Sequence, residues 1–162
     1  MPTEGQMDAW FPYIFGLVVV WNLGFIGFGA LRRLQAGEPI FPKRPDGAVF
    51  YQSGASGRSL GNLLQRFGGA SRCLVVIVAN NQVKTDLTFP FNLFFAFNFY
   101  DIRIDVRLSE IRRIERRHRL LMGETVRVFW SDERGYEFTV RDPDALVRAL
   151  NPAGRIAVTD ER

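Results

Sequence analysis

The spacing of apolar and polar residues changes once along the chain, and the change separates two kinds of element. From Ala9 through Leu31 there is no Asp, Glu, Lys, Arg or His, and Asn22 is the one strongly polar side chain. At about 1.5 Å per helical residue, that stretch crosses a hydrocarbon core of roughly 30 Å. Trp10 and Tyr13 stand where amphipathic aromatics favour the headgroup layer, and Arg32 with Arg33 stop the other end. The pattern predicts a transmembrane helix over residues 10–31 after a short extracytoplasmic tail, 1–9, with Pro12 in the first turn, where a missing N–H costs little. A cleaved signal peptide fits less well: the leader carries Glu4 and Asp8 but no Lys or Arg, and the apolar stretch is too long. Within the span, Gly16, Gly24, Gly27 and Gly29 lie near Asn22, a composition that lets a second helix approach, although the GxxxG spacing is absent.

The segment that follows holds Gly37, Pro39, Pro42, Pro45 and Gly47, which end the helix and predict a semi-stiff linker over 32–47. Beyond it the dominant period is two, and one domain, 48–151, fits the remaining length. Cys73 to Val78 is an unbroken apolar run, Asn80-Asn81 reads as a turn, and Val83, Leu87 and Phe89 begin a new alternation, which together predict a hairpin. A second hairpin is predicted from Val126, Val128 and Trp130, the polar turn 131–135, and Tyr136, Phe138 and Val140.

Between the hairpins the apolar positions are odd from Phe91 to Phe99 and even from Ile102 to Leu108. A strand cannot switch faces without a break, so two strands are expected, parted near Tyr100-Asp101. Leu108, Ile111, Ile114, His118 and Leu121 fall at helical spacing, yet an open sheet edge would remain without another strand, so this segment is read as a bulged strand. Asp142 as N-cap, Pro143 at the first helical position and the stripe Leu146, Val147, Leu150 predict a closing helix, ended by Asn151-Pro152 and Gly154. Residues 152–162 are expected to form a flexible tail.

Composition alters this picture only locally. With 162 residues, 47% hydrophobic and 23% charged, the averages are those of a soluble protein, so the membrane signal lies wholly in the first helix. Arg32, Arg33, Lys43 and Arg44 follow the span, which by the positive-inside rule puts the N-terminus outside and the domain in the cytoplasm. The single cysteine, Cys73, cannot form an internal disulfide and reads as a buried apolar residue.

Short strands followed by one amphipathic helix, carried by residues 72–86, 102–114 and 125–150, resemble the pleckstrin-homology-like (PH or GRAM-like) domains of bacterial membrane-anchored proteins. The resemblance implies an α+β fold: an N-terminal transmembrane helix, then a mainly antiparallel, partly open barrel with a C-terminal capping helix. It does not extend to phosphoinositide binding, because Arg58, Arg66 and Arg72 lack the Lys-x-Arg spacing of the first hairpin in members that bind those lipids.

Chemistry points away from catalysis. One His and one Cys cannot make a His/Cys zinc site between them, and there is no HExxH, GxSxG or EF-hand pattern, so no catalytic residue, metal or cofactor is expected. The tract 54–59 (Gly-Ala-Ser-Gly-Arg-Ser) echoes a phosphate-binding loop but has its first two glycines too close and Arg58 where the lysine belongs, so it reads as a flexible loop. Arg112, Arg113, Arg116, Arg117 and Arg119 form the strongest charge feature; a solvated face is the main reading and contact with anionic headgroups or a protein the other, while nucleic acid is not expected. Phe91, Phe94, Phe95, Phe97 and Tyr100 are divided between a filled core and an aromatic surface against membrane or partner. The expected function is a tethered, non-enzymatic PH-like binding or adaptor module, whose partners are the bilayer and another membrane or cytoplasmic protein. The alternative is an accessory or assembly subunit of a membrane complex.

Overall fold

A computed structural model describes residues 4–61, 68–93, 102–119, 123–132 and 134–161. Helix α1 runs Glu4–Gln35, longer at both ends than the apolar stretch, so Pro12 lies inside it and not in its first turn. Within the candidate span Trp10–Gln35 an 18-residue window reaches a mean hydropathy of 2.1, and the side chains from Trp10 to Leu23 are largely uncovered by the rest of the protein. The chain thus carries one N-terminal helix long and apolar enough to cross a bilayer. Its end is closed by Glu38 N donating to Arg33 O at 2.9 Å and by Gly37, whose φ of +69° places it in the left-handed conformation that terminates helices.

The remainder is an α+β domain: β1 Phe50–Ser59, β2 Ala70–Ala79, β3 Gln82–Leu87, β4 Asp105–Arg107, β5 Arg113–Arg119, β6 Gly123–Phe129, β7 Gly135–Thr139, α2 Pro143–Leu150 and β8 Ala157–Glu161. They form one eight-stranded sheet in the order β4-β3-β2-β1-β7-β6-β5-β8, antiparallel except for the parallel β5–β8 pair. Both expected hairpins are present: Val78 faces Val83 across Asn80-Asn81, whose φ values of 49° and 60° make the tight turn, and Val128 faces Tyr136. Asp142 caps α2 by accepting from Ala145 N at 2.8 Å, with Pro143 in the first turn.

The sheet is open, with β4 and β8 as its two edges, so it is not a closed barrel. Three expectations are corrected. The tract 54–59 is no loop but the second half of β1, with register shifts on either side of Ala55 and Gly54 at φ +74° forming the bulge. Phe91–Leu93, expected as the start of a strand, is a 3-10 turn; Leu108–Glu110 is another and delivers the chain into β5, so the 108–121 segment follows the strand reading where it is described. Residues 157–161 are not frayed but pair with β5 from Arg113↔Ala157 to Arg117↔Glu161.

The core lies between one sheet face and α2. Leu74, Val76, Val83, Leu87, Ile114, Val126, Val128, Tyr136, Phe138, Leu146 and Leu150 are all fully buried there. Burial of side chains of this size contributes about 1.5–3 kcal/mol each, which is why the period-two pattern dictates the register. Of the expected even set, Ile102, Val106 and Leu108 are buried and Ile104 packs against the same cluster. Cys73 is buried and free.

Candidate functional site

The distinctive polar assembly sits where α1 meets the sheet. Arg33, in the last turn of α1, is 5% exposed and forms a bidentate pair with Asp86 of β3: Nη2 to Oδ2 at 2.5 Å and Nη1 to Oδ1 at 3.2 Å. Its Nη2 and Nε also donate to Pro39 O at 3.0 and 3.3 Å, which folds the connector back onto the helix end. Arg103 reaches the same carboxylate from the segment before β4, Nε to Asp86 Oδ1 at 3.2 Å, and its Nη2 donates to Asn92 O at 3.0 Å. Glu38 stands 3.5 Å from Arg33 and 3.8 Å from Arg103. The buried Asn92 donates from Nδ2 to Ile40 O at 2.6 Å, while its Oδ1 has no partner. Planar guanidinium forks on a shared carboxylate hold fixed geometry, so the end of α1, β3 and the segment before β4 are joined at one point.

Close backbone packing adds to this. A Cβ placed on Gly29 would collide with the carbonyl oxygen of Leu93, so α1 rests directly on the Phe91–Leu93 turn. Beside the contact is a pocket of about 190 Å³ whose wall includes Phe25, Phe28, Arg32, Asn92 and Arg103. Arg32 is exposed, whereas Arg33, expected as its equal at the membrane boundary, is buried in the ion pair. Trp10 and Tyr13 are exposed with their rings edge to face at 6.5 Å, and Gly24 and Gly27 leave open space beside the helix. Asn22 donates to Val18 O of its own helix at 2.7 Å.

The arginine run is divided by the strand pleat. On the sheet face opposite the core, Arg58, Glu137, Arg127 and Glu115 stand in one cross-strand row over β1, β7, β6 and β5. Glu137 pairs with Arg58 at 3.0 Å and Arg127 at 2.6 Å, and Glu115 pairs with Arg113 at 3.0 Å. Arg113 also lies 4.5 Å over the Phe129 ring. Arg116 points the other way, to Asp144 of α2 at 2.6 Å, with Glu124 at 3.7 Å. Arg112 is exposed and Arg117 half-buried, and the side chain of Arg119 lies outside the described set. The run therefore does not gather on one surface.

Phe91 is 42% exposed, next to Phe89 at 47% and Phe41 at 60%, the last two in ring contact at 4.9 Å. Of the two readings left open for it, Phe91 does not fit the filled core, which leaves the surface alternative; Phe94, Phe95, Phe97 and Tyr100 lie outside the described residues. In the core, burial pushes the Tyr136 phenol far above its ordinary 10.0, with a smaller push from Cys73, and burial likewise raises the Cys73 thiol. Among the described residues no group of three or more His, Cys, Asp or Glu could hold a metal ion. Sequence reasoning missed Glu38, Asp86, Asn92 and Arg103, because Asp86 and Arg103 occupy alternating positions that read as solvent-facing. No protein-family model matches the chain, and no curated protein matches it.

Proposed function

We propose that the chain is a single-pass membrane protein, N-terminus outside, that presents a cytoplasmic, PH-like, non-catalytic binding module at a fixed angle to the bilayer. The observation that carries this reading is the Arg33–Asp86–Arg103 junction: it binds the end of the apolar helix to the sheet through buried charge, where a flexible tether would leave the domain free to reorient. The PH-like part is supported by the succession of antiparallel strands followed by α2, which packs on β6 and β1; the parallel β8 stands outside that pattern. A protein partner is favoured over a soluble ligand because a fixed mount matters when a surface must meet another membrane-bound surface. The same rigidity favours, as a second reading, an accessory subunit of a membrane complex. Affinity purification of the full chain from native membranes in mild detergent, read by mass spectrometry and native gel, tests both. A stoichiometric large complex supports the subunit, substoichiometric partners support the adaptor, and a chain that migrates alone with no enriched protein overturns both.

A further inference from the structure

We propose that the junction pocket and the groove below it form a binding site for a single anionic phospholipid with a hydroxylated headgroup, drawn from the leaflet on the domain side. This rests on the reading that α1 spans the bilayer. Below the pocket, Leu17, Val20, Trp21, Gly24, Phe25 and Phe28 line an apolar groove of about 420 Å³ along α1. Pocket and groove share Phe25 and Phe28, so they adjoin along α1, the polar one towards its end and the apolar one below it. From Leu17 to Phe28 the helix rises about 16 Å, close to half of the roughly 30 Å hydrocarbon core, which is the length an acyl chain of one leaflet occupies.

The polar end selects the headgroup. Arg33 and Arg103 are balanced by Asp86 and Glu38, which leaves the exposed Arg32 as the excess positive charge at the pocket. A guanidinium at the headgroup level favours a phosphodiester. Asn92 supplies the second requirement: its Nδ2 is held by Ile40 O, so its buried Oδ1 is an acceptor still in need of a donor, which a headgroup hydroxyl provides. Gly24, with nothing within 4 Å of a would-be Cβ, keeps the groove floor open for the chain.

The test uses the full chain in mild detergent, titrated with phosphatidylglycerol or phosphatidylcholine and read by native mass spectrometry and thermal unfolding. Saturable retention of one phosphatidylglycerol per chain, with a raised Tm and no comparable effect of phosphatidylcholine, is expected. Arg32→Gln should weaken retention about tenfold, the worth of one charge-assisted hydrogen bond. Gly24→Leu should abolish it by filling the groove, and glycerol phosphate without acyl chains should not raise the Tm. Equal retention of both lipids, no effect of Arg32→Gln, or a chain dimer that closes the groove with a second helix would each overturn the site. Alkaline carbonate extraction of native membranes separates the two failures. Release of the wild-type chain into the soluble fraction sinks the membrane reading itself, whereas a membrane-retained chain without lipid selectivity sinks only the site.

Discussion

At the scale of single residues, buried charge and buried phenol have the sharpest consequences. Removing one member of a buried ion pair leaves the other without compensation, which costs more than the pair contributes when intact. Asp86→Asn leaves Arg33, 5% exposed, and Arg103 with a neutral amide between them. With Asp86 and Arg103 partly exposed and Glu38 still 3.5 Å from Arg33, it should lower stability by about 1–3 kcal/mol in urea unfolding of the full chain in mild detergent. A loss below about 1 kcal/mol, the size expected of an exposed pair, would show that water reaches the junction. Tyr136 makes a second prediction, in pH. Its hydroxyl donates to Ile102 O at 3.2 Å inside the core, and burial first, then the nearby Cys73, raises its pKa above the ordinary 10.0. Above that pH the unfolded chain releases a proton that the folded chain keeps, so the stabilisation is complete below pH 10.0 and declines as pH rises further. Cys73, raised from 9.0, acts in the same direction and starts earlier. Tyr136→Phe should flatten the decline of the urea midpoint above pH 10.0 while leaving the part due to Cys73; an unchanged slope would refute the assignment.

At the scale of elements, what was legible in the sequence followed from period and capping. The β2–β3 and β6–β7 hairpins and α2 carry strong alternation, β-branched runs or an Asp-Pro cap, and these local signals agree with the tertiary packing. β1 and β8 escaped for opposite reasons. β8 has little burial of its own and exists through its parallel pairing with β5, a non-local interaction with no periodic signature. β1 has its turn-like composition because the sheet needs small residues there: a Cβ on Gly57 would stand 2.5 Å from the Tyr136 ring and 2.9 Å from Leu74 Cδ2. A glycine that a neighbouring aromatic requires looks, in isolation, like a loop glycine. Gly57→Ala should therefore destabilise the domain by about 1–3 kcal/mol through overpacking, against a few tenths expected from backbone propensity in a loop. Thermal unfolding of the full chain checks this, and a neutral or stabilising result would contradict the strand's close approach to Tyr136. The helix-like spacing of 108–121, set aside in favour of a strand, has a related origin: the Leu108–Glu110 turn and the strand after it bury Leu108, Ile111 and Ile114 in succession by changing direction.

At the scale of the whole molecule, the junction converts a property of one helix into a property of the domain. Because Arg33, Asp86 and Arg103 bind the sheet to the end of α1, under the proposed single-pass reading the side of the bilayer that receives the helix end would also receive β1 to β8, and the orientation of the span would decide where every surface of the domain acts. The charges on either side of the span differ: Glu4 and Asp8 before it, Arg32, Arg33, Lys43 and Arg44 after it. Two of the four cations are engaged within the fold, Arg33 with Asp86 and Arg44 with Ala48 O at 3.0 Å, yet orientation follows the basic residues flanking a span, whatever partners they later acquire. The rings of Phe41 and Phe89 are exposed and in contact at 4.9 Å, and under the proposed single-pass reading such an aromatic pair would suit the headgroup layer. Protease added to right-side-out membrane vesicles should accordingly leave the domain intact, and the same protease added to inverted vesicles should degrade it once the fold is loosened by Asp86→Asn. Digestion from the outside of sealed right-side-out vesicles, with a cytoplasmic marker still protected, would reverse the orientation and with it the compartment in which any partner must be sought.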